Sequence, residues 1–335
     1  MKTEVKKPTE KVIKEAARLI NSGEIVAMPT ETVYGLSADA TNVEAVKKVF
    51  VAKGRPQDNP LIVHVSSMDM LDFVASEVSN SALKLVKKFW PGPLTIVLPK
   101  SDNIPSTVSA GLDTVGVRMP GHSVALEFIK ACGVPIAAPS ANTSGKPSPT
   151  TAEHVKIDLD GKIPLIIDGG SSIRGVESTV ITVNDDTVTI LRPGFITAED
   201  FEAEGFNAKY SSGVFNELSG GEKPLSPGMK YKHYSPKANV IIIEGNYDSV
   251  LKFADTINEK GVYFLLYEND ERFPFPHLAY GKTAKEQASN IYNKLREFDK
   301  LNAKTVYAMS PVRNGIGEAV YNRLLRSAGF EVIKL

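Results

Sequence analysis

The chain has 335 residues, enough for about two domains, each with its own core. Hydrophobic content of 42% and charged content of 23% are ordinary for a soluble globular protein. The 39 basic and 39 acidic side chains cancel, so no global field advertises nucleic acid or membrane, and any anion site has to be local.

The start, "MKTEVKKPTEKVIKEAARL", is charged throughout and lacks a signal-peptide core, and no apolar run approaches the ~18 residues of a membrane span. These features predict a cytoplasmic protein with no membrane partner. Thr9 is a fitting N-cap for a helix that places Val12, Ile13, Ala16, Leu19 and Ile20 on one face and stops at Gly23. "EIVAMPT" follows as a strand ending in a proline turn. Helix signals recur at "NVEAVKKVFVAKG", "NSALKLVKKFW", "SVALEFIKACG" and "TAEHVKIDL". Strand signals recur at "LIVHV", "LTIVLPK", "TVGVRMP", "PIAAPS", "PLIIDGG", "STVITV" and "TVTILRPG". The interleaving without strict alternation predicts an α/β domain with a mixed sheet over residues 1–206. The lone Cys132 excludes a disulfide framework and a cysteine-ligated zinc, and in "FIKACGVPIAA" it reads as an inert core thiol.

Residues 207–238 have no sustained period and are rich in Gly, Ser and Pro, which marks a linker or a functional loop. They carry an aromatic and basic cluster, Tyr231, Lys232, His233 and Tyr234, that a spacer does not need. From 239 to 335 the strands "NVIIIEG", "VYFLLY" and "TVYAMS" alternate with amphipathic helices, which predicts a small parallel-sheet domain.

No Walker-type or dinucleotide-binding glycine motif is present. "SPVRNGIGEAVYNRL" comes nearest, and it reads better as a plain tight βα turn than as an anion site. Polar residues instead gather at strand ends: Thr32 in "PTETVYGL", Lys53, Arg55 and Asn59 in "KGRPQDNP", and Ser140, Asn142 and Ser148 in "APSANTSGKPSPT". Ser178 in "ESTV" and Arg192 in "LRPG" add to them. Cations, hydroxyls and amides without a carboxylate pair suit a polyanion. On strand position alone, His64 reads as a core histidine and Arg118, alternating with valines, as an outward charge.

These motifs, in this order, resemble the YrdC/Sua5 family. "SPGMKYKHYSP" and the trailing α/β domain resemble its long Sua5 form. The resemblance implies a YrdC-like twisted mixed sheet with flanking helices plus a smaller Rossmann-like α/β domain. It implies a nucleotidyltransferase that converts L-threonine, bicarbonate and ATP to L-threonylcarbamoyladenylate and pyrophosphate. A partner transferase then modifies adenosine 37 of tRNAs that read ANN codons, giving t6A.

The resemblance assigns Lys53, Arg55, Ser140 and Asn142 as the catalytic set, and the same four to ATP with Asn59, Ser148 and Arg192. It places Thr32, His64, Arg118 and Ser178 on threonine, with Arg118 meeting the carboxylate. His233 and Tyr234 belong to a lid over the ATP site, and Mg2+ accompanies ATP. Asn322 stands where the long form leads one to expect an acidic residue, so the last domain is read as a docking or lid-supporting element. Two other readings compete: an RNA-binding module, which the neutral charge disfavours, and a hydrogenase-maturation carbamoyltransferase, whose cysteine zinc motifs are missing. Direct nucleic-acid binding is accordingly expected to be weak or absent.

Overall fold

Thr9 does cap the first helix: its Oγ1 accepts the Val12 amide at 3.3 Å, and Val12, Ile13, Ala16 and Ile20 are buried along Glu10–Asn21. In the computed structural model, which describes residues 2–216 and 233–335, this helix lies on an eleven-stranded sheet. Its strands are β1 (Glu4–Lys6), β2 (Val26–Met28), β3 (Gly35–Asp39), β4 (Ile62–His64), β5 (Leu94–Pro99), β6 (Thr114–Arg118), β7 (Ile136–Ala137), β8 (Leu165–Ile167), β9 (Thr179–Asn184), β10 (Thr187–Arg192) and β11 (Asn207–Tyr210). They run in the order β1-β8-β2-β3-β7-β4-β6-β5-β9-β10-β11. Directions are mixed: β4 and β6 are parallel, as are β5 and β9, whereas β5 and β6 are antiparallel.

The period of two in β2 divides the side chains between two cores. Val26 and Met28 pack with Ile13, Ile20, Phe128 and Ile129 on one face. Ala27 joins a larger core with Val49, Phe50, Val63, Leu85, Ile96 and Ile181. Each fully buried aliphatic side chain contributes roughly 1.5–3 kcal/mol relative to exposure. Cys132 sits in the first core with its thiol pushed up to about 12 by burial, an inert group as expected.

The second sheet holds β12 (Asn239–Glu244), β13 (Val262–Leu266), β14 (His277–Ala279), β15 (Thr305–Met309) and β16 (Val332–Lys334) in the order β14-β13-β15-β12-β16, all parallel. Helices Tyr247–Asp255, Ala284–Lys300 and Ile316–Ser327 flank it. The turn before the last helix is closed by its own backbone, with the Gly317 amide on Asn314 O at 2.8 Å. A side chain at Gly317 would meet Val312 O at 1.9 Å, so the tight-turn reading of "SPVRNGIG" holds.

Of the stretch expected as a linker, residues 207–210 instead extend the first sheet as β11, parallel to β10. Residues 217–232, with Tyr231 and Lys232, lie outside the described residues. The described end of that stretch ties the domains together: the Ser235 amide donates to Gly145 O and its Oγ to Ser327 O, both at 2.8 Å. Arg296 of the second domain reaches Asp158 of the first at 2.8 Å, both buried.

Candidate active site

The turn between β2 and β3 folds on its own hydroxyl. Thr30 Oγ1 donates to Val33 O at 2.6 Å and accepts the amides of Thr32 and Val33 at 3.2 Å, which turns the Thr32 hydroxyl inward. His64 and Arg118 end adjacent parallel strands in direct register, so they arrive side by side. Arg118 donates from Nε to Gly92 O (3.1 Å), from Nη1 to Thr32 Oγ1 (2.9 Å) and from Nη2 to Glu31 Oε1 (2.5 Å). Two of its five N–H donors remain. Glu31 is buried, and although burial opposes ionisation, the Arg118 charge and the Gly121 amide hold its carboxyl below the ordinary range. His64 is held neutral, down to about 3, by burial and by the Arg118 charge; its Nδ1 has no partner among the described residues.

Ser178, immediately before β9, shares a 2.8 Å hydrogen bond with Thr95. Arg192 at the end of β10 takes both its oxygens, Nε on the carbonyl at 3.1 Å and Nη2 on the hydroxyl at 3.0 Å. Thr32, His64, Arg118, Ser178 and Arg192 line one cavity together with Arg55, Ser140, His233 and Tyr234. All four residues that the resemblance assigns to threonine therefore line the same cavity.

Lys53 does not line it. It is the last residue of helix Val43–Lys53, which Gly54 ends in the left-handed conformation (φ 61°). Its ammonium is buried and donates to Ser140 O at 2.5 Å, Asn142 O at 2.6 Å and Asn142 Oδ1 at 3.4 Å. Burial and then the Arg55 charge press its pKa well below the ordinary lysine range, while the oxygen acceptors favour the ammonium. Asn142 accepts from Ser140 Oγ at 2.5 Å and donates to Thr143 O and Lys146 O at 2.9 Å. Lys53 and Asn142 thus shape the "SANTSGK" loop from behind and leave Ser140 facing the cavity.

Arg55, two residues on, does face it; Nη2 donates to Pro60 O at 3.3 Å, and Nε has no partner among the described residues. Burial brings its guanidinium down to about 10. Asn59 and Ser148 are buried off the cavity wall, and Ser148 Oγ donates to Glu177 Oε1 at 2.5 Å.

Glu177 lines the cavity and had no sequence signal beyond its place in "ESTV". Glu31 likewise had none beyond its place in "PTETVYGL". What could have exposed both is their position one residue before a predicted site residue. His233 and Tyr234 complete the lining. The Tyr234 ring stacks on Tyr292 of the second domain at 5.3 Å. Burial first, then the Arg55 and Lys53 charges, lower His233 to about 3.

A family model described as telomere recombination, spanning Sua5, YciO and YrdC, matches residues 18–194. A second, for the C-terminal domain of threonylcarbamoyl-AMP synthase, matches 196–329. The chain belongs to the YrdC/Sua5 family. It is 45% identical to the threonylcarbamoyl-AMP synthase of Pyrococcus abyssi over 332 residues, 96% of each chain. It is 44% identical to that of Bacillus subtilis, over 96% of this chain and 94% of the other. The crystal structure of P. abyssi Sua5 complexed with L-threonine superposes with a TM-score of 0.92 at 42% identity, covering 99% of this chain and 98% of that one. The long Sua5 form, with both domains, is therefore the architecture of this family member.

Proposed function

We infer that this chain is a threonylcarbamoyl-AMP synthase, a nucleotidyltransferase that joins L-threonine, bicarbonate and ATP for the t6A modification of tRNA. The observation that carries this reading is one cavity lined by both groups of residues. Thr32, His64, Arg118 and Ser178 share it with Arg55, Ser140, Arg192, His233 and Tyr234. A relative similar over the whole chain has been crystallised with L-threonine.

In this reading the two spare donors of Arg118 take the threonine carboxylate, and Glu31 and Gly92 hold the guanidinium in place. His64, neutral and with an open nitrogen, meets the threonine without adding a charge. The threonine amine takes up CO2 as a carbamate, losing a proton. A carbamate oxygen then attacks the α-phosphate, and pyrophosphate leaves. No protein nucleophile is required; the site supplies orientation and positive charge.

Arg55 and Arg192 face the phosphates with Ser140, while Lys53, Asn142, Asn59 and Ser148 build the loops that present them. His233 and Tyr234 exclude water from the mixed anhydride. The described residues contain no cluster of three or more His, Cys, Asp or Glu side chains that could hold a metal. Mg2+ is accordingly proposed as the companion of ATP, held by phosphate oxygens and water. The balanced charge supports weak or no direct binding of tRNA, which falls to a partner transferase in the cytoplasm.

Incubation with ATP, L-threonine and 13C-bicarbonate tests the reading. A labelled threonylcarbamoyl adenylate, seen by mass spectrometry, is the expected product; ADP or unlabelled adenylate in its place contradicts the reading.

A further inference from the structure

Glu177 is out of character on its wall. Arg55, Arg192, Ser140 and Ser178 around the cavity suit an anion, yet the Glu177 carboxylate is buried and faces the same space. Unpaired, it would repel phosphate oxygens and carry a large desolvation cost. It is paired, and mostly from the other domain. Arg323 Nε donates to Oε2 at 2.7 Å, and the Tyr292 hydroxyl lies 2.8 and 3.0 Å from the two oxygens. From the first domain Ser148 completes the set. The same guanidinium lies 5.7 Å from the centre of the Tyr234 ring, whose stacking partner is Tyr292. Arg323 is wholly buried, and its Nη1 is steadied by Asn322 Oδ1 at 2.9 Å. Asn322 in turn donates to Val214 O at 2.6 Å.

We propose that Arg323 is a positioning residue of the active site: it cancels the charge of Glu177 so that the cavity accepts a polyphosphate, and it seats Tyr234 over the nucleotide. This rests on the nucleotide reading given above. Asn322 steadies the guanidinium without a charge of its own, whereas a carboxylate at that position would compete with Glu177 for it.

The charged and titratable groups facing Glu177 are Arg323 and Tyr292 from the two helices, Arg192 from β10, and His233 and Tyr234 from the closing segment. Arg323 is the largest influence opposing burial at Glu177. Without it, burial raises the carboxyl, and ATP binding should recover as falling pH neutralises it.

The test is the KM for ATP, from pyrophosphate release by the full-length chain, measured over a pH series from mildly acid to alkaline. Arg323→Met is expected to raise the ATP KM about tenfold or more at the alkaline end, with the defect shrinking as pH falls. Glu177→Gln alone should leave the ATP KM unchanged or lower it, and Glu177→Gln with Arg323→Met should return it close to wild type at every pH. Arg296→Met breaks the other buried ion pair between the domains, off the cavity wall, and should lower thermal stability without a pH-dependent KM. A double variant as impaired as Arg323→Met, or Glu177→Gln alone raising the KM tenfold, would overturn the proposal and leave the pair as mere glue between domains. If Arg323→Met does not fold, Glu177→Gln alone and the double variant are read against wild type, and a double variant tenfold or more worse in ATP KM overturns the proposal. A wild-type protein that releases no pyrophosphate would overturn the nucleotide reading and this inference together; an active wild type with the wrong variant pattern overturns this inference alone.

Discussion

Lys53 and Arg55 sit two residues apart in "KGRP" and have separate jobs. Residue type and motif place both on the polyanion; only the fold shows that a helix carries Lys53 to the back of the Ser140–Asn142 loop. Removing its ammonium takes the donor from Asn142 O and leaves Ser140 O with the Asn142 amide alone. Lys53→Met should therefore lower unfolding free energy by about 1–3 kcal/mol, measured by urea titration. A variant as stable as wild type would show that the ammonium is not needed to hold the loop. Thr32 and Ser178 were legible as polar residues at strand ends, whereas His64 and Arg118 were picked out by the family motifs and not by strand position. Glu31 and Glu177 were not legible, because a carboxylate becomes informative only when its cationic partner is known. Arg118 is 87 residues from Glu31, and Arg323 is 146 residues from Glu177.

Elements with a strong period were legible for the same reason they are stable: the apolar face that marks Glu10–Asn21 in sequence is the face that packs. The short strand Asn207–Tyr210 carries no apolar run, and its pairing with β10 comes from backbone hydrogen bonds that leave no side-chain pattern. The seam between domains is equally silent in sequence. Gly175 holds φ +74°, and a Cβ there would stand 2.2 Å from Ala288 O on helix Ala284–Lys300. Gly175→Ala should push that helix away and cost about 2 kcal/mol or more, seen as a lower unfolding midpoint in urea. An unchanged midpoint would mean that the helix does not press on this turn.

At the scale of the whole molecule, stability should fall with acidification in two stages. His64 and His233 are lowered to about 3 and His154 to about 4, all mainly by burial. Between those values and the ordinary histidine range near 6.5, the unfolded chain binds protons that the native chain refuses, so stability drops as pH falls through that window. Glu31, Asp158 and Glu177 are held below their ordinary range, so the stability they give is present above that range and is lost as pH falls further. The midpoint of thermal unfolding should already decline between about pH 7 and about pH 5; a flat profile there would mean that these histidines are not buried as neutral groups. Composition predicted that any anion site must be local. Arginines from three separate strand ends and loops line one cavity of a chain with no net charge.

The most direct test of the account is pyrophosphate release from ATP, with threonine and bicarbonate supplied together and then withheld in turn, for wild type and Arg55→Ala. The account predicts release only when both are present, and a fall of at least about a hundredfold in kcat/KM for Arg55→Ala. Release without threonine, or an Arg55→Ala variant as fast as wild type, would contradict the joining of threonine and nucleotide in this cavity.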